Sequence, residues 1–381
     1  MKKTLLATAI IGALSATAAA QAATVYDQDG TKLDIYGRIG LGIEGGGSQY
    51  SDKTYTDADG NTQAQRINRS GDFVNVGSRL GLRMSQAITS DMTAFGRLEW
   101  RFKANSKEDA GNGFDELRQS YLGIQSQQYG TFQAGNFDSF YLQFVSSPFD
   151  VYINNGLQFA GNGKQSRGDS IGYYTPDLEG FTAFLQLKNY SERGYVEDPN
   201  APLFDGQERT SEKGNVIAPQ GGVRYENGPV TVGLGFVEDV RRGGGNGEMM
   251  YGLIGQYQFT DQFSARLGYE NRQNNNDQGY KDSMGVNDEN GYNTVGLGAT
   301  YTTGPWAFTG DFYNINRDDG KDNSKAWSLG GYYKVSSAMD VFVEVNDNDA
   351  KAGSGSDNST RRQVDNLTDD AYWLTGVRYF F

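Results

Sequence analysis

A closed antiparallel barrel of about 16 transmembrane β-strands, an all-β fold, is what this sequence points to, on three observations. From residue 31 onward the hydropathy pattern has period two, with one apolar and one charged face, and no long segment has helical periodicity. The connections alternate between tight turns and long polar stretches, as in an up-and-down meander. The last run, Tyr372-Trp373-Leu374-Thr375-Gly376-Val377-Arg378-Tyr379-Phe380-Phe381, puts Trp373, Val377, Tyr379 and Phe381 on one face.

The first run, 31–44, sets Leu33, Ile35, Ile39, Leu41 and Ile43 against Asp34, Tyr36, Arg38 and Glu44. The second, 72–86, sets Val74, Val76, Leu80, Leu82 and Met84 against Asn75, Arg79 and Arg83. The third, 90–104, sets Met92, Ala94, Leu98, Trp100 and Phe102 against Thr93, Arg97, Glu99, Arg101 and Lys103. Strands at 115–126 and 129–136 follow, then 167–175 and 179–189 about the turn Pro176-Asp177-Leu178. Next come 218–227 and 229–240 about Gly228, and 248–259 and 262–272 about Thr260-Asp261. The pair 290–303 and 305–316 turns at Gly304, and 324–335 and 338–348 turn at Ser336-Ser337 before the closing run 370–381. Turn residues at these junctions have a mechanism, since glycine supplies positive φ and Asp and Ser bond their own backbone. The long polar connections are 45–71, 137–166, 190–217, 273–289 and 349–369. A soluble sandwich also has many short strands, but it buries its apolar faces and has no need of an aromatic closing strand.

Composition narrows the chemistry. The 381 residues include no His and no Cys, which removes imidazole-based triads, disulfides and the usual zinc ligands. No metal site and no cofactor is expected. With 34 Lys+Arg against 47 Asp+Glu, the formal charge of −13 disfavours nucleic acid as a partner. The 52 glycines amount to about twice the usual roughly 7% share, and 13% aromatics argue that such a chain packs rather than remaining disordered. A mean hydropathy of −0.63 is no obstacle to membrane insertion, because alternating strands never produce a long apolar window. Fragments such as Asp57-Ala58-Asp59-Gly60 lack calcium-loop spacing and read as turns, and Gly161-Asn162-Gly163-Lys164-Gln165-Ser166 lacks the residues of a phosphate loop.

Residues 1–22 read as a secretory signal peptide: Lys2 and Lys3, an apolar run from Leu5 to Ala20, then Ala20-Gln21-Ala22 as the processing site. The mature barrel is then 23–381, and losing the two lysines takes its charge to −15. Such export in a cysteine-free chain suits a bacterial envelope protein.

At this point the residues resemble the trimeric general porins of Gram-negative outer membranes. Arg118-Gln119-Ser120-Tyr121-Leu122-Gly123-Ile124 with Tyr129-Gly130-Thr131 and Gly135 is similar to that family's fourth and fifth strands. Arg167 with Asp169-Ser170-Ile171, Tyr173, Thr175-Pro176 and Gly180-Phe181 is similar to its sixth and seventh. The opening from Tyr26 to Arg38 and the terminal Phe381 match the family's two ends.

The resemblance implies a water-filled outer-membrane channel for passive diffusion of ions and small hydrophilic solutes, not an enzyme, with an infolded third loop at 137–166. It implies a homotrimer set in outer-membrane lipid and lipopolysaccharide. It also implies that Tyr379 and Phe381 signal to the barrel-assembly machinery. By the same resemblance Arg38, Arg79, Arg118 and Arg167 form a basic wall at the pore constriction, faced by the loop acids Asp150 and Asp138. Arg97, Arg101 and Glu99 are secondary lumen residues on the register of the third run. The family's Pro-Glu-Phe-Gly-Gly stretch is missing from this loop, where Ser147-Pro148-Phe149-Asp150-Val151-Tyr152 stands instead. Two other functions stay open: an oligosaccharide-selective porin, with Phe149 and Tyr152 stacking on sugar rings, and a receptor or adhesin barrel that conducts nothing. A barrel enzyme with a histidine base has no histidine here. The negative mature charge predicts a mild cation preference, despite the wall arginines.

Overall fold

The computed structural model describes residues 22–46, 49–56, 62–67, 71–105, 114–153, 156–160, 168–190, 195–197, 210–212, 216–238, 249–272, 292–317, 324–347 and 371–381. Residues 1–21 of the leader fall outside this set, as do most of the long polar connections.

In chain order the strands are β1 (Ala23–Gln28), β2 (Thr31–Gly46), β3 (Gln49–Thr56), β4 (Thr62–Ile67), β5 (Asp72–Asn75), β6 (Arg79–Ala87), β7 (Met92–Arg101), β8 (Glu116–Ser126), β9 (Gly130–Asn136), β10 (Asp169–Tyr174) and β11 (Phe181–Tyr190). They continue with β12 (Tyr195–Glu197), β13 (Thr210–Glu212), β14 (Val216–Asn227), β15 (Val230–Glu238), β16 (Met249–Gln258), β17 (Phe263–Arg272), β18 (Tyr292–Thr303), β19 (Trp306–Arg317), β20 (Ser324–Ser336), β21 (Met339–Asp347) and β22 (Ala371–Phe380). β3–β4 and β12–β13 are separate two-stranded ribbons, and the other 18 form one sheet. Apart from β5 and β6, which both pair with β2, each strand of the sheet pairs antiparallel with its successor, and β22 closes on β2 from Arg38↔Phe380 to Gly46↔Tyr372.

Eighteen segments make 16 staves because two staves are each built from two pieces. β1 pairs with the first half of β2, end to end with β22 along the same edge. Asp29 and Gly30, both at positive φ, make the tight turn between β1 and β2. β5 and β6 share the other edge of β2, interrupted at residues 76–78. Closure is what lets a sheet cross hydrocarbon, since every backbone group on the wall then has a partner.

Alternation sorts the side chains as the sequence implies. Leu122, Ile124, Phe132, Leu234, Leu253, Leu267, Leu297 and Leu329 are exposed on the outside. Glu99, Gln186, Arg266, Glu270, Asp311, Glu344 and Arg378 are buried within. Two features differ from expectation. The run at 72–86 is broken, and the register changes from Arg38↔Arg79 to Leu41↔Asn75, one residue extra on the outer strand. This bulge turns Val76 inward, buried beside Leu374, Tyr332 and Phe342 with Val74 packed on the same cluster, so the two valines leave the lipid face they were assigned. The third long loop also contains local helix, a π turn at Leu142–Ser146 followed by a 3₁₀ turn at Ser147–Phe149.

Candidate pore constriction

The third loop runs into the barrel and carries its own apolar core. Phe137, Phe140, Tyr141, Val145, Phe149 and Phe159 from the loop are buried with Phe184, Ile254, Tyr313 and Ile315 from the wall. Burying a ring of this size is worth roughly 1.5–3 kcal/mol against leaving it in water, so several together outweigh the polar contacts that orient the loop. Close approach requires wall glycines: a Cβ on Gly268 or Gly296 would lie 2.5 Å or 2.8 Å from the Phe159 ring.

Polar wall residues fix the loop's height. Gln186 Oε1 accepts from the Phe140 N–H (2.7 Å), and Gln220 Oε1 accepts from the Ser139 hydroxyl (2.5 Å) and the Tyr141 N–H (3.0 Å). Glu270 accepts from the Tyr141 hydroxyl (2.7 Å) and the Ala160 N–H (3.0 Å). Glu344 accepts from the Ile153 N–H (2.6 Å) and the Tyr332 hydroxyl (2.6 Å). Burial together with the adjacent Glu270 carboxylate holds the Tyr141 phenol protonated, well above its usual range.

Opposite the loop, β2, β6, β7 and β8 gather a basic cluster around one carboxylate. Glu99 is fully buried; its Oε1 lies 2.6 Å from Arg118 Nη1 and 3.5 Å from Arg79 Nη1, and its Oε2 lies 2.8 Å from Arg97 Nη2 and accepts from the Tyr36 hydroxyl at 2.7 Å. Arg118 reaches Asp138 Oδ2 at the root of the loop (3.3 Å), which also accepts from Gln119 Nε2 (2.6 Å). Among the described residues, Nε of both Arg79 and Arg118 is buried without a hydrogen-bond partner. Arg38 donates Nε to the Gly77 carbonyl at 2.8 Å. Glycine suits position 77, where φ is +61° and a Cβ would lie 2.6 Å from Arg38 Nη2 and push the guanidinium aside.

A bulge explains how Arg118 joins. Leu122 and Ile124 face outward, so strict alternation would put Arg118 outward as well. The ladder instead pairs Glu99 with Gln119 and Trp100 with Leu117, leaving Arg118 as the extra residue, so that both it and Gln119 point inward.

The structure thus brings together Arg38, Arg79, Arg97, Arg118, Glu99 and Asp138. Asp150 follows the 3₁₀ turn, exposed to lumen water and within electrostatic reach of Arg118 and Asp138. The enclosing protein, with a smaller contribution from Asp138, pushes its carboxyl up to about 6, while Arg118 opposes the shift. Contact with lumen water works against the desolvation part of that shift. Arg101 stands nearer the long-loop rim, paired with Glu116 at 3.1 Å. Arg167 lies outside the described residues. Tyr379 and Phe381 point outward, and Phe381 exchanges backbone hydrogen bonds with Gly37 (2.8 and 3.1 Å).

Of the two proposed sugar-stacking residues, Phe149 needs correction. Phe149 is fully enclosed, packed against Phe159 (4.9 Å between centroids) and Tyr313 (5.6 Å), because an infolded loop needs an apolar anchor and this ring supplies it. Tyr152 is partly exposed, with its hydroxyl donated to the Ser328 carbonyl (2.8 Å). Two contributors that the sequence reading did not single out are Tyr36, beneath the cluster, and Arg378. Arg378 is buried on Asp340 through bonds of 3.0 and 2.7 Å.

A closed 16-stave wall, apolar outside and charged inside, with a loop folded into its lumen, defines a water-filled membrane channel. Residues 7–353 match the family model for Gram-negative porins, and the chain belongs to that family. It is 28% identical to a monosaccharide porin of a Halomonas species, over 91% of this chain and 94% of that protein. It is 32% identical to the outer membrane porin OmpD of Citrobacter koseri, over 35% of this chain and 32% of that one. Among solved structures it is similar to the Salmonella typhi OmpF complex with daunomycin (TM-score 0.62, 16% identity, 94% of this chain and 100% of that one). It is likewise similar to an anion-selective porin from Comamonas acidovorans (TM-score 0.64, 17% identity, 92% and 100%). The protein is an integral outer-membrane channel for passive diffusion, in a family whose members are not enzymes.

Proposed function

We propose that the channel admits hydrated ions and neutral solutes up to about the size of a monosaccharide, makes and breaks no bond, and selects at the gap between the third loop and the β2–β6–β7–β8 wall. The observation that carries this reading is the pairing of a rigidly seated loop with a cluster of arginines around a single glutamate. Arg38, Arg79, Arg118 and Arg167 are the wall charges of the constriction, and Asp150 and Asp138 are its loop acids. Selectivity then arises from pore width and the field across it. The Halomonas relative's name supports a monosaccharide-sized limit. A sugar-stacking oligosaccharide channel would lack one of its two platforms, since Phe149 is enclosed.

Further parts of the reading are a cleaved leader at 1–22, a mature barrel at 23–381 and a homotrimer in lipid and lipopolysaccharide. The outer faces support the trimer. Tyr173, Phe181, Tyr257, Phe259, Phe263, Tyr301, Trp306 and Phe308 give β10–β19 and their turns an aromatic belt suited to a lipid interface. The outer face of β2, β6 and β7 carries Leu33, Ile35, Leu80, Leu82, Ala94 and Leu98 instead, a profile suited to protein contact. Reconstitution in planar bilayers tests the function: ohmic steps in groups of three with mild cation preference support it, and a barrel without conductance refutes it.

A further inference from the structure

We propose a second site for an oxyanion, on the short-turn side of the constriction, in which Arg83 and Arg97 hold the carboxylate or phosphate group of a small permeating solute. The proposal rests on the chain being an open channel.

The ladder sets Arg83 directly opposite Arg97. Like charges facing each other across a strand pair are destabilising, and Glu99 offsets Arg97 at 2.8 Å, so Arg83 is the charge left for an anion to offset. The two guanidinium carbons lie 4.3 Å and 5.1 Å from the centroid of the Tyr36 ring. Tyr36 fixes Arg97 further, because its hydroxyl accepts from Arg97 Nε at 2.6 Å. A Cβ at Gly81 would collide with the Tyr36 ring, 2.3 Å from Cζ, so the absence of a side chain there lets the platform lie flat against the wall.

Counter-charge is short at this level. Glu99 is shared among Arg79, Arg97 and Arg118. Asp34 stands across the ladder from Arg83, yet it accepts from the Thr24 hydroxyl (2.7 Å) and pairs with Lys32 (3.1 Å). Arg83 therefore rests on the Tyr36 ring, partly exposed and within electrostatic reach of Asp34, with its guanidinium donors making no hydrogen bond or close ion pair among the described residues. A planar fork of open N–H donors beside a second guanidinium is the geometry that captures carboxylate or phosphate.

Arg97 belongs both to this site and to the constriction cluster, and Arg83 extends the pair toward the short turns. Arg83 lies four residues from Arg79, about 13 Å along a strand and roughly 10 Å along the axis of a barrel with tilted strands. Since the short turns mark the periplasmic rim, a solute leaving the constriction meets Arg83 next. Two weak stations in series favour passage, because each holds an anion without trapping it.

The test is single-channel recording of the mature protein at 0.1 M KCl, with gluconate, glucose 6-phosphate or neutral glucose added on the periplasmic side. Gluconate and glucose 6-phosphate should produce brief current blocks that glucose does not, and the longer block identifies whether carboxylate or phosphate is preferred. Arg83→Gln should shorten these blocks about fivefold, the effect of one unit charge at 4 Å in water, and Arg83→Lys should fall between. Tyr36→Phe, which removes the hydroxyl that holds Arg97, should also shorten them with Arg83 intact. A variant that still gives ohmic steps is folded, so unchanged block times in Arg83→Gln overturn the proposal, as does absence of anion blocks in the wild type. Absence of ohmic steps in the wild type refutes the channel reading instead.

Discussion

Asp150 should act as a titratable gate charge, and lowering the pH on a single channel is the perturbation that reveals it. With its carboxyl pushed up to about 6, Asp150 is ionised at pH 7.5 and mostly protonated at pH 5, whereas an ordinary Asp near 3.9 stays ionised over that whole span. The sign follows directly. Acidification removes a negative charge facing Arg118, so the constriction loses cations and gains anions. One unit charge about 5 Å from a permeating ion in water changes the ion's local concentration by roughly fourfold, and the change shrinks in strong salt as the Debye length drops from about 10 Å at 0.1 M to about 3 Å at 1 M. Because cations fall as anions rise, the two changes multiply, and reversal potentials in a KCl gradient at 0.1 M should show the cation-to-anion permeability ratio falling by roughly fivefold after screening from pH 7.5 to 5, with a midpoint near 6. Asp150→Asn should show the acidic ratio already at pH 7.5 and lose the transition. A transition that survives intact in Asp150→Asn would refute the assignment of this charge.

Deleting Phe381 should lower outer-membrane levels of the protein on surface immunoblots, since it removes the two backbone bonds to Gly37 and an outward terminal ring. Tyr379→Ala with Phe381 in place should give a similar loss if the outward aromatic pair is read as a signal, and little loss if only strand length matters. Tyr141→Phe leaves Glu270 buried with one partner fewer and should destabilise the loop's seat by about 1–3 kcal/mol, seen as a lower thermal unfolding midpoint or noisier open-channel current. Gly296→Val should force Phe159 off the wall and raise open-channel noise, with the outer face of the barrel unaffected.

The wall was legible because period two survives any choice of sequence scale. The strand starting at Thr31 keeps Ile39 and Ile43 outward and Tyr36 and Arg38 inward, and the turns at Gly228 and Gly304 stand where expected, both at positive φ. What escaped was each place where the count of two slips by one. Bulges at residues 76–78 and at Arg118 invert the faces on either side of them, and both follow from pairing across strands, which a single strand's pattern does not contain. Arg118 was expected inward only through its motif; alternation alone would have sent it into lipid. β1 escaped for a related reason, since its six residues have no apolar face of their own and pair only because the end of β22 leaves half an edge of β2 open.

The loop shows a second limit. Its aromatic density was visible, but whether those rings face solute or wall depends on glycines far away in the chain. Gly172, Gly233, Gly252, Gly268 and Gly296 sit on five different strands, each where a Cβ would collide with a residue of the third loop. Part of the glycine surplus that first looked like a compositional oddity is therefore the imprint of the loop on the wall. Glycines spread over five strands carry no local signature, whereas the arginines opposite do: Arg38, Arg79 and Arg97 alternate with apolar residues, and Arg118 stands in a motif. The inward charges of the proposed constriction were legible for this reason. The seated half, which determines how wide the gap is, required the fold.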